Sequence, residues 1–539
     1  MLAESSRATS QRRTRLTDFP ARGRHSSIDD AQLRHHSITG ALDQFVNGQW
    51  QVTYGYDLDS LVTSVATSTD TLSIIRDPAT GWIDDATLGA VTTSQSYNEF
   101  GELASFEARE SGNAFYEVSY DERDHLGRIK QKTETLNGVA SVYVYDYDPA
   151  GRLDKVYRDS LLIEEYGYDD NDNRTSYEDI FGSATGTYDD QDRLLSYGGL
   201  TYNFDADGFL TSKSDGSSTI TYDYDLMGSL RKVVLDTGIT IEYLVDGQNR
   251  RIGKMVNGVL TKGFLYQDQL NPVAELDGAG NVVARFVYGT KAHVPDYMVT
   301  ATNTYRFITD HLGSVRFVVD VVDGTVAQET HYDSFGRVTF DSEQGFQPFG
   351  FAGGLYDYQT GLVRFGARDY DPVIGRWTAK DPIGFGGGDS NLYGYVFQDP
   401  ANLVDPPGLG VENNTDHSII VKPEIGPIGL VRPHHYWPGS PDGVLEPPDG
   451  PWTKFPGKLW LPDNDVVVPQ GGPPSCKRGP ASWPADPFQP TTFPQGEVPD
   501  DTWTLPEPGS QLKNLPNQRR ILVPSSGGLL LQGPSAGDG

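Results

Sequence analysis

The chain has very few of the residues that cross-link proteins, bind metals or cross membranes. Of its 539 residues, one is cysteine, Cys476, which excludes an intramolecular disulfide framework and a zinc cage built from cysteines. No run of 18 apolar residues occurs, so we predict no membrane segment. The N-terminal residues contain no apolar stretch of the signal-peptide kind, so we predict no signal peptide. We also expect no metal and no cofactor.

Positive charge is also scarce. Lys and Arg total 43 against 74 Asp and Glu, which gives a formal net charge of −31. Because nucleic-acid-binding surfaces are basic, this balance argues against a nucleic acid as the partner of the main body. Residues 1–40 are the exception, with seven arginines and no lysine. We predict that this stretch is a disordered N-terminal arm.

Methionine is rare (4 residues), whereas glycine (60) and tyrosine (29) are abundant. Tyrosine favours strands and glycine favours turns, so the composition predicts an all-β protein. The length allows two or more domains.

A short phrase recurs along the middle of the chain. It begins with an aromatic residue, followed usually by Asp, then by two variable residues, then by Gly or Asp, and often by Arg. Copies begin at 97, 147, 168, 188, 204, 224 and 332, and consecutive copies are mostly about twenty residues apart. A fixed period of this length indicates a stacked repeat architecture. The alternative interpretation of each copy is simply a packing aromatic with a turn-forming Asp. A calcium loop at 169–180 is disfavoured, because Arg174 and Ile180 replace the required Gly and Glu.

Asn-Gly and Asp-Gly pairs separate strand-like runs and predict hairpins with type I′ turns. These pairs are Asn137-Gly138, Asn257-Gly258, Asp277-Gly278 and Asp323-Gly324. Each repeat is therefore predicted to contain a strand, a tight turn, a second strand and a corner formed by the repeated phrase. A long antiparallel ribbon built from such units must cover its apolar face, so we expect it to spiral into a shell.

The C-terminal stretch, 410–539, holds 24 of the 35 prolines, which excludes long helices and predicts an irregular segment. Five tryptophans in it are enough for a small core. His434 and His435 are candidates for acid–base or metal chemistry, although a solvated turn explains such a pair equally well. Cys476 is a weak candidate nucleophile, because no cysteine-protease pattern surrounds it.

The order of motifs from 305 to 409 resembles the RHS family of YD-repeat proteins, which includes toxin-complex C subunits and teneurins. The strings that carry the resemblance are "YRFITDHLGSVRFVVD" at 305–320, "FGFAGGLYDYQTGLVRFGARDYDPVIGRWTAKDPIGF" at 349–385 and "NLYGYVFQDPANLVDPPGL" at 391–409. The resemblance implies a hollow β-shell that wraps a C-terminal cargo. It divides the chain into the arm 1–40, a YD-repeat shell 41–300, an RHS repeat-associated core domain 301–409 that plugs the shell, and a variable segment 410–539 that is the candidate effector.

Two DPxG phrases, at 381–384 and 405–408, are good turn sequences on their own. Taken together, they present two carboxylates that are able to share a proton, activate water and protonate a leaving group. The resemblance implies that Asp381 and Asp405 form an aspartyl-protease-like dyad that cuts the Leu409–Gly410 bond.

Arg376 and Lys380 are candidate auxiliary residues that tune this pair. The sequence departs from the family in two ways: 20 residues separate the phrases where about 18 are usual, and Phe385 replaces a leucine. Both departures leave open whether self-cleavage is active.

Three functions remain open at this point. The first is a polymorphic-toxin shell that encloses its own C-terminal segment and cuts after Leu409, with an immunity protein and a secretion-system or toxin-complex component as partners. We expect such a protein to be secreted or displayed at the cell surface by a specialised route. The second is a secreted or surface YD-repeat scaffold with no catalytic activity. The third is a carbohydrate-binding β-structure that uses exposed aromatics.

Overall fold

The computed structural model describes residues 50–410 in full and, outside them, the backbone of seven short strands. The predicted arm 1–40 lies outside the described residues except for one strand. The effector candidates His434, His435 and Cys476 lie outside them altogether.

The strands up to residue 136 are β1 (Gln32–His35), β2 (Leu42–Asn47), β3 (Trp50–Tyr56), β4 (Val62–Ala66), β5 (Thr71–Arg76), β6 (Ile83–Leu88), β7 (Val91–Tyr97), β8 (Leu103–Glu110), β9 (Asn113–Arg123) and β10 (Ile129–Leu136). The next ten are β11 (Val139–Tyr147), β12 (Leu153–Arg158), β13 (Leu161–Tyr168), β14 (Arg174–Asp179), β15 (Gly182–Tyr188), β16 (Leu194–Tyr197), β17 (Leu200–Phe204), β18 (Leu210–Ser214), β19 (Thr219–Tyr224) and β20 (Leu230–Val234).

The following ten are β21 (Thr240–Val245), β22 (Arg251–Val256), β23 (Val259–Tyr266), β24 (Pro272–Asp277), β25 (Val282–Val287), β26 (Tyr297–Thr300), β27 (Thr304–Thr309), β28 (Val315–Asp320), β29 (Val326–Tyr332) and β30 (Val338–Asp341). The last are β31 (Leu355–Asp357), β32 (Leu362–Phe365), β33 (Arg368–Asp371), β34 (Arg376–Trp377), β35 (Leu403–Val404), β36 (Glu412–Asn413), β37 (Ile419–Val421), β38 (Gly429–Val431), β39 (Lys513–Asn514) and β40 (Arg520–Ile521). Three short 3-10 segments lie at Phe351–Gly353, Gly384–Gly387 and Val396–Gln398.

From β1 to β30, each strand pairs antiparallel with the next one in the chain. The all-β ribbon predicted from the repeats is thus confirmed. The predicted boundary at residue 300 falls within this meander, which continues to the end of β30.

The repeated phrase forms the corner between one hairpin and the next. In the copy at 147–152, Asp148 Oδ1 accepts the backbone N–H of Ala150 at 2.9 Å and of Arg152 at 3.0 Å. Gly151 adopts a φ of +94°, which glycine takes up without steric cost. The Arg152 guanidinium pairs with Asp148 and lies over the ring of Tyr168 in the next repeat, 4.8 Å from its centroid. The motif therefore joins successive repeats as well as turning the chain.

The hairpin predictions are correct in place and partly wrong in turn type. Asn137 and Gly138 have φ of +48° and +79°, as a type I′ turn requires, and the pair at 257–258 behaves likewise. In the β24–β25 hairpin the positive φ lies at Gly280, and neither Asp277 nor the glycine after it adopts one. The loop there is longer, since Asp277 Oδ1 accepts the backbone N–H of Ala279 and Asn281. In the turn at 323–324, only the glycine has a positive φ.

The ribbon curls back on itself, so that its first hairpins contact its later ones. Side chains of β3 to β6, such as Val65 and Leu72, share one buried cluster with Leu265, Val287 and Tyr297 of β23 to β26. This contact produces the predicted shell.

The residues that follow β30 form a compact plug, 349–409, against the curled strands. A buried aromatic cluster that includes Phe365, Tyr370, Trp377 and Tyr395 forms its centre. Buried ion pairs fix the plug to the strands: Arg251 with Asp369 at 2.7 Å and Lys254 with Asp357 at 2.7 Å. Ion pairs this deeply buried need good geometry, because each charge has lost its water.

Candidate functional site: a carboxylate pair beside the Leu409–Gly410 bond

The two DPxG phrases lie next to each other in the plug. Asp381 follows β34, and Asp405 follows β35. The turn between β32 and β33 supports the second phrase, since Ala367 N–H donates to the carbonyl of Pro407 at 2.8 Å. Gly366 makes this approach possible: a Cβ added there would lie 2.3 Å from the same carbonyl oxygen.

Arg368, the first residue of β33, lies between the two carboxylates. Its Nη2 is 3.1 Å from Asp381 Oδ2 and 3.0 Å from Asp405 Oδ2. The two oxygens are therefore no further apart than the sum of these distances. All three side chains are at least nine-tenths buried. The guanidinium also stacks on Trp377, 4.0 Å from the ring centroid, which fixes its plane.

The second carboxylate touches the backbone of the predicted scissile bond. Asp405 Oδ1 accepts the N–H of Leu409 at 3.0 Å and the N–H of Gly410 at 3.1 Å. Arg368 Nε donates to the carbonyl of Gly408 at 2.6 Å. The 405–410 segment is thus held from both sides, and the nitrogen of the Leu409–Gly410 bond lies against a carboxylate.

A glycine-rich loop covers the other side of the pair. A Cβ added to Gly387 would lie 2.6 Å from Asp381 Oδ2 and 3.6 Å from the carbonyl oxygen of Leu409. A cavity of about 20 Å³ lies between this loop and the pair, and its walls include Asp389 and Gly410. Such a volume holds one water molecule. Residues of the 20-residue stretch between the two phrases therefore form part of the site.

Burial dominates the ionisation of the carboxyls. It raises the pKa of Asp405 to about 6, although Arg368 and the two backbone N–H groups oppose the shift. Burial also raises the pKa of Asp381, against Arg368. The pKa of Asp389 is raised by burial to about 7. The site thus holds carboxyls able to carry a proton near neutral pH, as acid–base chemistry requires.

Arg376 and Lys380 make their contacts elsewhere. Arg376 Nη1 bonds Asn173 Oδ1 at 3.2 Å, and its Nη2 bonds the Asp192 carbonyl at 2.5 Å, so it joins the plug to the repeats. Lys380 packs on Gly208, where an added Cβ would lie 2.3 Å from its Cε.

The residue between the carboxylates, Arg368, did not stand out in the sequence. The string "ARDYDP" could have drawn attention to Arg368, because the repeat pattern does not explain an arginine at this position. Among residues 50–410, no cluster of three or more His, Cys, Asp or Glu is arranged to hold a metal. No helix in the described part of the chain is long and apolar enough to cross a membrane.

Comparison with known proteins finds similarity along most of the chain. The Teneurin YD-shell family model matches residues 27–399. Teneurin-3 of Mus musculus is 26% identical over 382 residues, which is 68% of this chain and 13% of the teneurin. Double-stranded DNA deaminase toxin A of Burkholderia cenocepacia (strain H111) is 30% identical over 342 residues, or 56% of this chain and 23% of the toxin. The chain thus spans less than a quarter of the length of either relative.

Solved structures share the fold. The Photorhabdus luminescens Tc holotoxin pore with a TccC3 mutation gives a TM-score of 0.56 at 18% identity, over 74% of this chain and 22% of that one. The crystal structure of TcdB2-TccC3-Cdc42 gives 0.51 at 16% identity, over 74% and 23%. At these identities the likeness supports the architecture alone.

Proposed function

The chain belongs to the teneurin YD-shell family, and on that premise we propose that its plug cuts its own backbone between Leu409 and Gly410. The observation that carries the proposal is the position of Asp405: one oxygen shares Arg368 with Asp381, and the other accepts the N–H of Gly410. This arrangement suits an aspartyl-protease-like reaction on the chain itself.

The chemistry follows from these contacts. A water molecule in the small cavity gives a proton to the Asp381 carboxylate while its oxygen attacks the carbonyl carbon of Leu409. Attack makes the nitrogen of Gly410 pyramidal and frees its lone pair; the C–N bond then breaks as Asp405, in its protonated form, gives its proton to that nitrogen. Leu409 is left with a carboxylic acid and Gly410 with an amine. The reaction needs one ionised and one protonated carboxyl. Burial favours the protonated form and the shared guanidinium favours the ionised form, so together they support this pairing.

Arg368 supports the reaction in two ways. Its charge opposes the burial that would otherwise protonate both carboxyls. Its Nε–H fixes the Gly408 carbonyl, which holds the adjacent peptide in place. Positioning of this kind contributes substantially to rate when the reacting groups belong to one chain.

The test compares four full-length chains by gel electrophoresis after purification. We expect Asp381→Asn and Asp405→Asn to remain whole, while the wild type and the control Asp277→Asn are cut. Asp277 is a partly exposed turn residue far along the chain from the plug, so its amide keeps the turn without touching the site. A cut Asp405→Asn chain would refute the proposed dyad.

We further propose that the segment from Gly410 onward is a cargo of the shell, released or retained after the cut. One relative is named a DNA deaminase toxin and one structural neighbour is a Tc holotoxin pore, which supports a toxin-like role and a toxin-complex or secretion-system partner. Secretion or surface display, and a cognate immunity protein, belong to the same proposal. Expression of residues 410–539 alone, with growth as the readout, tests it.

A second function is an interaction scaffold without catalysis. The teneurin similarity favours it, and the Arg368 ion pairs would then serve only to hold the 405–410 turn. A wild-type chain that stays whole, with a harmless C-terminal segment, is the result this function predicts.

A further inference from the structure

A second small cavity lies on the other side of the turn between β32 and β33, and several arginines line it. Its volume is about 30 Å³, and its walls include Arg250, Arg251, Arg364, His293 and Pro406. A space of this size admits one water molecule or one monatomic ion and is too small for a phosphate or an organic molecule. Neither the three arginines nor His293 takes part in the proposed self-cleavage.

Buried N–H groups beside this cavity lack acceptors. Arg251 and Arg364 are 4% and 3% exposed, and the Nε of each has no hydrogen-bond partner among the described residues. The remaining contacts of both guanidinium groups are well made: each reaches Asp369, at 2.7 Å and 2.9 Å, and Arg364 also reaches Asn249 at 2.7 Å. Because burying an unpaired donor is costly, two such donors at one cavity indicate a missing acceptor.

The local charge favours an anion as that acceptor. Arg251 and Arg364 share the single carboxylate of Asp369, whereas Arg250 has its own partner, Asp246, at 2.7 Å. Three guanidinium groups therefore face two carboxylates, and one positive charge remains. Apolar and aromatic side chains, among them Phe349, Leu355 and Phe365, form part of the walls and screen this charge less than water does.

We propose that the cavity is a chloride site, in which one halide ion accepts the Nε–H groups of Arg251 and Arg364. A water molecule fits the volume, but it does not neutralise the remaining charge. The ion would lie against Pro406 and behind the β32–β33 turn, on which the 405–410 segment rests. It would thereby stabilise the plug whether or not the chain cuts itself.

Bromide provides the direct test on the unaltered full-length chain. Crystals grown in sodium bromide are measured at the bromine absorption edge. We expect an anomalous peak within hydrogen-bonding distance of both Nε atoms. If the electron density shows an ordered protein and no such peak, the proposal fails, whatever the behaviour in solution.

Thermal unfolding provides the solution test. The melting temperature is measured in sodium chloride and in sodium gluconate at equal ionic strength. At ten times its dissociation constant, chloride should raise the ratio of folded to unfolded protein about tenfold, and so raise the melting temperature.

We expect Arg364→Lys, which retains the charge but loses the Nε–H, to abolish the chloride-specific difference. The control Arg128→Lys, at a repeat corner, should keep it. Equal melting temperatures of the wild type in the two salts, or an undiminished difference in Arg364→Lys, would overturn the proposal. Neither test depends on cleavage, so each stands if the self-cleavage proposal fails.

Discussion

At the residue scale, opposing effects of similar size meet on Asp405. Burial disfavours its charged form, whereas Arg368 and two backbone N–H groups favour it, and burial prevails with a pKa of about 6. A carboxyl in this range is able to give up a proton near neutral pH, which an exposed aspartate does poorly. The environment, more than the identity of the residue, makes it a candidate acid.

The pH dependence of cleavage follows from this carboxyl. Since Asp405 must be protonated to serve as the acid, the rate should fall as pH rises above about 6, by about tenfold per pH unit once the group is mostly ionised. Uncut chain dissolved in urea is diluted into buffers between pH 5 and 8, and the cut fraction is followed on gels. A rate that rises with pH over this range would contradict the assignment of Asp405.

Gly387 offers a steric test. A methyl group there would press on Asp381 Oδ2 and approach the carbonyl of Leu409, so Gly387→Ala should slow cleavage at least tenfold, because misplaced groups lose much of their effective concentration. Gly247→Ala is the matched control, since its added methyl meets nothing within 4 Å. Both chains are compared by the same refolding assay. Equal rates would show that the loop leaves the carboxylates free to move.

At the element scale, one unit of structure explains why the repeated phrase contains Tyr, Asp, Gly and Arg together. The hydroxyl of Tyr168 donates to the carbonyl of Leu153 at 2.8 Å, and Tyr147, Tyr188 and Tyr266 make equivalent bonds one repeat back. Each tyrosine thus satisfies a backbone carbonyl at the preceding corner. The arginine of that corner stacks on the ring of Tyr147, Tyr168 and Tyr266, whereas Arg376 of the plug lies over Tyr188. The interpretation of these aromatics as packing residues is confirmed.

Removal of one such hydroxyl should therefore weaken the fold measurably. We expect Tyr168→Phe to lower the free energy of unfolding by about 1–3 kcal/mol, because the buried Leu153 carbonyl loses its donor. Tyr157→Phe, at a half-buried position on β12, should change it much less. Urea unfolding followed by fluorescence measures both. A Tyr168→Phe chain as stable as the wild type would show that the bond adds nothing.

The repeats were predictable because each turn and corner is formed by residues that lie close together in the sequence. A type I′ turn requires positive φ at both central positions. Asn-Gly pairs accept this conformation, and both residues have positive φ at 137–138 and at 257–258. The Asp-Gly pairs misled because Asp277 caps a longer loop with its own side chain, so the left-handed residue falls at Gly280. The resemblance led us to expect Asp381 and Asp405 close together, and both contact Arg368; their action as a dyad stays a prediction. Arg368 was not predictable, since it lies 37 residues from Asp405, and only the fold brings them together.

At the scale of the whole molecule, the plug and the strands are joined by polar contacts between residues far apart in sequence. Arg251 bonds Asp369 and Asn391 bonds Asn173 between strands and plug, and Arg316 of β28 bonds Glu134 of β10 within the ribbon; all of them are buried. Hydrophobic periodicity gives no indication of such pairs. A plug held in this way should be sensitive to pH as well as to packing.

Stability should rise as pH falls from neutral towards about 5. Burial raises the pKa of Glu164, Asp389 and Asp399 to about 7 each, against about 4 in an unfolded chain. These three carboxyls therefore bind more protons in the folded protein over this range, and the stability they contribute is present below pH 4 and lost as pH rises through 7. They outweigh His293 and His311, whose pKa burial lowers to about 4 and which act in the opposite direction. Melting temperatures of the uncut Asp405→Asn chain at pH 5 and 7.5 test this; a higher value at pH 7.5 would contradict it.

The most direct measurement of the central claim is the intact mass of the purified full-length chain. The account predicts two species from the wild type, one ending at Leu409 and the other beginning at Gly410, and one whole species from Asp405→Asn. If the wild type is whole, or is cut at any other bond, the two phrases are turns held by Arg368. The interaction scaffold then becomes the better account of this protein.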